Sequence, residues 1–296
     1  MAELPPTLHS FCALTNIAAR IKIVDIGANP IDGTPPYAPL LAAGDADVVG
    51  FEPNPGALAR LNEMKGPNEL YLPHAVGDGN RHTLHFCQAP GMTSLLQPNP
   101  DVLNLFHGFA DWGRVLATTE VDTVRLDDIA ETEGVELIKI DIQGGELMAL
   151  SHARKRLADA LVIQTEVEFL PMYVGQPLFS EVERFLRDAG FMFHRFFPAV
   201  SRVVRPLLVN NDIYAGLSQV LWADGLFVRD FTRLHALTDM QVLKLAKILH
   251  DCYRSIDLTL HLLGEYDRRT GAALGGAYLA GLQAEMTPPA ATRAAA

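Results

Sequence analysis

Apolar positions in this chain gather into short continuous runs, and several of those runs stop at a carboxylate. Ile21-Lys22-Ile23-Val24 ends at Asp25, Val48-Val49-Gly50-Phe51 at Glu52, and Leu137-Ile138-Lys139-Ile140 at Asp141. A fourth run, Ala160 to Glu168, carries Glu166 and Glu168 at its far end. Short, β-branched-rich runs without alternation predict strands buried on both faces. The pattern predicts strands over 21–25, 46–51, 70–74, 83–87, 121–126, 137–141, 160–168 and 191–197, with a further one inside 217–228. Helical spacing or helix-end signals predict helices over 7–20, 37–43, 55–64, 147–150, 179–189 and 242–263. Pro55 suits a first helical turn, and Gly190 closes the helix before it. Two long connections stand out. One is 26–36; the other is 89–118, which has the length of a lid or binding loop. The stretch from Ala284 on offers little to pack and is expected to be disordered.

The alternation of strand and helix at the start predicts an α/β fold. Ligands of open parallel sheets bind outside the carboxyl ends of the strands, where Asp25, Glu52 and Asp141 fall. Gly27 gives the first turn freedom for close approach. A carboxylate at the end of the second strand can accept both hydroxyl hydrogen bonds of a ribose. A dinucleotide site would need G-x-G-x-x-G to cradle a pyrophosphate, whereas here Gly27 is followed by Ala28-Asn29-Pro30-Ile31-Asp32-Gly33. Asp25 and Asp32 repel a pyrophosphate but suit the ammonium and sulfonium of S-adenosylmethionine (SAM). SAM is therefore favoured over NAD.

The chain has 296 residues and 49% hydrophobic content, enough for a full α/β core with additions. With 24 basic and 35 acidic residues the formal charge is −11, so nucleic acid and anionic membranes are poor partners. No apolar run reaches bilayer length, and the start shows no basic-then-apolar leader. A soluble, cytoplasmic protein is the expectation. Cys12, Cys87 and Cys252 are widely spaced and read as core or neutral thiols. The histidines show no metal-ligand spacing, and no metal is expected.

The set Val24-Asp25-Ile26-Gly27-Ala28-Asn29, Gly50-Phe51-Glu52-Pro53, Ala75-Val76-Gly77-Asp78, Ile138-Lys139-Ile140-Asp141-Ile142-Gln143-Gly144-Gly145-Glu146 and Glu166-Val167-Glu168-Phe169 resembles the FkbM family of SAM-dependent methyltransferases. The resemblance covers roughly residues 20 to 200. It implies a class I methyltransferase (Rossmann-like), mostly parallel seven-stranded sheet flanked by helices, here with a C-terminal helical extension, and O-methylation of a sugar, glycan or secondary metabolite. Carried over by position, Asp25, Gly27 and Asn29 would hold the methionine end of SAM, Glu52 the ribose and Asp78 the adenine edge. Asp141 would lie near the reacting centre. The chain departs from the family at Pro30-Ile31-Asp32, which delays the second glycine, and at Gln143, where many relatives have glutamate.

An alcohol acceptor must lose its proton, usually to a carboxylate or histidine within reach. Asp141, Glu146, Glu166 and Glu168 are the candidates, with His107 and His194 as additions; Asp141 and Glu168 are preferred. Asp141 could instead only orient SAM or cap a helix, and Glu146 could be a first-turn acid. Thr93-Ser94 could bridge loop and cofactor or make local turns. Phe193, Phe196, Phe197, Trp222 and Phe227 read as core. The expected organisation is a lead-in helix at 1–20, a methyltransferase domain at 21–230, a helical extension at 231–283 and a tail at 284–296. The C-terminal helices offer a homodimer surface. Two rival readings are a SAM-binding, non-catalytic scaffold and an NAD-dependent oxidoreductase.

Overall fold

The computed structural model describes residues 8–29 and 33–286. They fall into two compact units, one drawn from residues 8–21, 35–46 and 232–286 and the other from residues 22–29, 33–34 and 47–231.

The larger unit carries the sheets. In chain order the strands are β1 (Ile21–Ile26), β2 (Ala46–Phe51), β3 (Glu69–Leu72), β4 (Ala75–Val76), β5 (Arg81–Cys87), β6 (Val115–Val124), β7 (Leu137–Ile140), β8 (Val162–Glu168), β9 (Phe191–Arg202) and β10 (Gln219–Arg229). Seven form one sheet in the order β3-β2-β1-β7-β8-β10-β9. β1, β7 and β8 pair parallel, as do β2 and β3, while β10 runs antiparallel to both β8 and β9. The apolar runs make this possible because central parallel strands are covered on both faces. β8 is buried along its whole length. Its Ile163 and Val167 join Val24, Ile26, Phe51, Ile138, Ile140 and Phe227 in one core cluster. Phe193 and Phe196 pack against that cluster, each in edge-on or tilted contact with Phe179, in keeping with their reading as core.

Several boundaries differ from the sequence reading. The third strand stops at Leu72 because Pro73 cannot continue the ladder, and Ala75–Val76 pair instead with β6 in a separate three-stranded sheet of order β4-β6-β5. β6 begins at Val115 rather than 121, since its outer half pairs antiparallel with β5. This shortens the 89–118 connection, which also contains the short helices Pro100–Leu103 and Phe109–Trp112. A helix at Arg154–Asp159 was not foreseen. The helix Pro55–Met64 starts as expected, with Asn54 Oδ1 accepting from the amides of Gly56 and Ala57.

In the smaller unit the lead-in helix is confined to Phe11–Thr15, closed by Asn16 in the left-handed conformation. The single helix expected over 242–263 is two, Asp239–Asp251 and Ile256–Thr270, interrupted at Arg254, whose φ is +52°. Thr238 opens the first of these with a reciprocal capping box to Gln241. Lys247 is fully buried in that helix, with Asp45 and Asp251 at 2.8 and 3.0 Å from its ammonium. A third helix, Leu274–Met286, takes in the start of the expected tail; residues 287–296 lie outside the described residues.

Candidate active site

The strand ends of the larger unit bring most of the predicted acids to one edge of the sheet. Asp25 closes β1 and is 3% exposed, and its Oδ1 takes a 3.3 Å hydrogen bond from Lys139 on β7. Gly27 follows with φ +81°, and a Cβ there would stand 2.0 Å from the carbonyl oxygen of Asp141. The amides of Gly27 and Ala28 both bond Phe51 O at 3.0 Å, which fixes the first turn against the end of β2. Asn29 lies next on the turn, half-buried. Asp32 lies outside the described residues.

Glu52, just past β2, is 5% exposed and accepts a 2.7 Å bond from the amide of Asn54. Burial pushes its carboxyl above the ordinary value, opposed by that bond and by the charge of Arg60. Asp78 sits apart from these two in its bonding. It follows β4 of the small sheet and accepts from the backbone and side chain of Asn80, from His82 at 2.8 Å and from Thr123. Burial opposes ionisation of Asp78, but the bonds from Asn80 and His82 prevail and hold the carboxyl well below its ordinary range.

Around Asp141 the chain gathers further carboxylates. Asp141 follows β7, its amide bonding Ile26 O at 3.0 Å. The oxygens of Asp141, Glu146 and Glu166 lie within 4.8 Å of one another. Glu146 opens the helix Glu146–Ser151, and its Oε1 accepts from the amides of Ile142 and Gly144. Gln143 links the group. Its Nε2 donates to Asp141 Oδ1 and Glu166 Oε2, both at 2.9 Å, and its Oε1 lies 3.2 Å from the hydroxyl of Tyr173. Its own backbone is in the left-handed region, φ +58°. Glu168 completes the end of β8, 2% exposed, with the side-chain amide of Gln176 beside its carboxylate.

Burial is the leading cause that raises the carboxyls of Glu146, Glu166 and Glu168, and their mutual repulsion and that of Asp141 add to it. Glu146 is pushed up to about 7, and Glu166 and Glu168 well above the ordinary value. Of the three, the Glu146 carboxyl is the one placed to exchange protons near neutrality.

Three further candidates come from the 89–118 connection. Ser94 is buried and donates to Gln143 O at 2.6 Å, while Thr93 Oγ1 accepts from the amide of Cys87. The exposed His107 bonds Leu207 O at 3.0 Å, and His194 lies on β9. Sequence reasoning passed over four polar residues. Lys139 and Gln164 stand in register on β7 and β8, with Asp25 opposite Lys139 on β1. Gln164 Nε2 donates to Asp224 Oδ2 on β10 at 2.8 Å. Asp224 was detectable as an acid inside an apolar strand. Tyr173 was not, since its partners Met92 and Gln143 are remote in sequence.

A seven-stranded sheet of this order, with one reversed strand beside its edge and carboxylates past the ends of its first two strands, defines a class I methyltransferase fold. The family model described as Methyltransferase FkbM domain matches residues 25–193. The chain belongs to this family of SAM-dependent methyltransferases. It is 30% identical over 167 residues to a 2-O-methyltransferase, NoeI, of Sinorhizobium fredii (strain NBRC 101917 / NGR234); the match spans 52% of this chain and 66% of that relative. Among solved structures it is similar to a precorrin-6y C5,15-methyltransferase from Geobacter metallireducens GS-15, at 14% identity and TM-score 0.36, over 74% of this chain and 85% of that one. It is similar also to TYW2 of M. jannaschii in complex with AdoMet, at 12% identity and TM-score 0.31, over 74% of each chain.

Proposed function

We propose that the chain transfers a methyl group from SAM to a hydroxyl of a sugar, glycan or secondary metabolite. The observation that carries this reading is the placement of Asp25 and Glu52 at neighbouring strand ends, with half-buried Asp141 and buried Glu168 at the ends of the next strands. The donor set fits SAM. Acidic groups suit its ammonium and sulfonium, and a strand-end carboxylate suits a ribose diol. The name of the 2-O-methyltransferase relative supports oxygen as the accepting atom.

In this reading Asp25, Gly27 and Asn29 receive the methionine end, Glu52 the ribose, Asp78 the adenine edge, and Asp141 the neighbourhood of the sulfonium. SAM, when bound, supplies a methyl carbon activated by its positive sulfur. The residues would hold an acceptor hydroxyl next to the methyl group that SAM would supply, and this positioning would lower the barrier. Glu168 takes the hydroxyl proton when ionised, burial having raised its carboxyl and so made its carboxylate the stronger base. Acceptor selection falls to residues 89–118 and 198–217. These segments meet where Phe106 bridges Val204 and Trp112 stacks on Tyr214 at 5.6 Å.

Calorimetry with SAM and S-adenosylhomocysteine tests the cofactor half. Wild type is expected to bind both, and Asp25→Ala and Glu52→Ala each to bind at least about tenfold more weakly, the loss of a charge-assisted hydrogen bond. Wild type that binds neither ligand, or two variants that bind undiminished, would refute it. For the chemical half, turnover of a panel of sugar and polyketide alcohols is expected to fall about a hundredfold or more in Glu168→Gln. SAM binding without turnover of any acceptor, together with partners that co-purify through residues 239–265, would favour a scaffold instead.

A further inference from the structure

Lys139 and Lys247 both stand against buried acids, but on different terms. Lys247, with no part of its side chain exposed, lies 2.8 and 3.0 Å from Asp45 and Asp251. Lys139 keeps 12% of its side chain exposed and lies 3.3 Å from Asp25, longer than the roughly 2.7–2.9 Å of a strong charge-assisted bond. A buried ion pair is a weak stabiliser, since apolar residues of similar volume can hold a core as well. The place of this one in the fold offers another use. Asp25 is the penultimate residue of β1 and Lys139 of β7, and the two face each other in register. Their contact puts both side chains on one face of the sheet. The turns that follow are fixed to one another, the amide of Asp141 bonding Ile26 O at 3.0 Å. The pair therefore sits at the carboxyl ends of two adjacent parallel strands, where ligands of such sheets bind. Gln164, next in register on β8, gives its side-chain amide to Asp224 at 2.8 Å, and the charge of Lys139 also favours the ionised form of Asp224.

We infer that Asp25 and Lys139 together recognise the α-amino acid end of SAM as a zwitterion, Asp25 taking the ammonium and Lys139 the α-carboxylate. The inference rests on the reading of Asp25 as a residue for the methionine end, and it adds the lysine which that reading leaves out. The amino acid end carries opposite charges one carbon apart, and the protein offers opposite charges on neighbouring strands. Set against each other in reverse order, the four charges alternate, and each is attracted by both of its neighbours. An ammonium has three donors, so Lys139 can bond an incoming carboxylate without releasing Asp25, and the exposed part of its side chain gives that carboxylate an approach. The lysine also sets selectivity. A site made of acids alone would favour any cation, most of all a ligand that had lost its carboxylate. With Lys139 in place such a ligand leaves the lysine charge facing its amine and sulfonium, a repulsion that the zwitterion avoids.

The test is calorimetry on the full chain with SAM and with decarboxylated SAM, which keeps the sulfonium and the amine but lacks the carboxylate. Wild type is expected to bind SAM at least about tenfold more tightly than the analogue. In Lys139→Met this ratio is expected to shrink to about threefold or less, chiefly through weaker binding of SAM, while Lys139→Arg, which keeps the charge, stays nearer wild type. Loss of packing alone would weaken both ligands alike, so the ratio separates recognition from structural damage. Circular dichroism checks that the variants are folded. Equal binding of the two ligands by wild type would overturn the inference with no variant needed, and so would an unchanged ratio in folded Lys139→Met. In both of those results SAM still binds and the cofactor reading stands. Wild type that binds neither ligand would remove that reading and the inference with it.

Discussion

Gly27 is held so close to the Asp141 carbonyl that no side chain fits, and its φ of +81° is one that other residues adopt at a cost. Gly27→Ala combines backbone strain with a clash against main chain, which cannot swing aside. It is expected to lose about 2–4 kcal/mol in urea unfolding and to weaken SAM binding with it; a loss below about 1 kcal/mol would show that the turn relaxes. Gln143 takes the opposite course, accepting φ +58° with a full side chain. Its compensation is visible in the contacts to Asp141, Glu166, Tyr173 and Ser94. The sequence marked Gly27 clearly, because a glycine after a strand-end acid has few other uses. It marked Gln143 only as a missing charge, because its partners at 94, 166 and 173 become neighbours only through the sheet.

Among the elements, the buried parallel strands were legible because continuous apolar runs have few alternatives, and the acids at their ends stood out against them. Connections were less so. The outer half of β6, Val115 to Glu120, is largely exposed and reads as loop, and only its pairing with β5 makes it strand. The break between Asp239–Asp251 and Ile256–Thr270 has no glycine or proline to announce it; Arg254 adopts the left-handed conformation instead. In the first of these helices Lys247 joins Asp251, one turn on, to Asp45 outside the helix, with no part of its own side chain exposed. Removing the cation leaves two acids facing each other, one of them buried. Lys247→Ala is expected to destabilise the smaller unit by about 3–5 kcal/mol, and Lys247→Met by less, since methionine fills the space. Thermal unfolding followed at the helical signal would check both, and equal melting of Lys247→Ala and wild type would contradict the assignment.

For the molecule as a whole, the carboxylates set how stability responds to pH. Glu146, Glu166 and Glu168 have carboxyls raised by burial, so the folded chain holds protons that the unfolded chain releases. Stability from these groups is full below the ordinary carboxyl value and declines as pH rises through the folded value, about 7 for Glu146. Asp78 and Glu265 have lowered values, and their contribution is lost only in acid. The urea midpoint is therefore expected to fall between about pH 5.5 and about pH 8, with a shallower fall in Glu166→Gln. A midpoint that rises over that range would contradict the burial of these acids. The row formed by Asp25, Lys139, Gln164 and Asp224 has a different bearing on the molecule. Strands that are apolar on both faces would pair almost as well one residue out of alignment, since every neighbour offers a similar surface. A slip of one residue at β7 would carry Lys139 away from Asp25 and leave a charge without its counterpart in the interior. The row thus acts as a key to strand alignment, since its polar pairs are met only when β1, β7, β8 and β10 sit in this register.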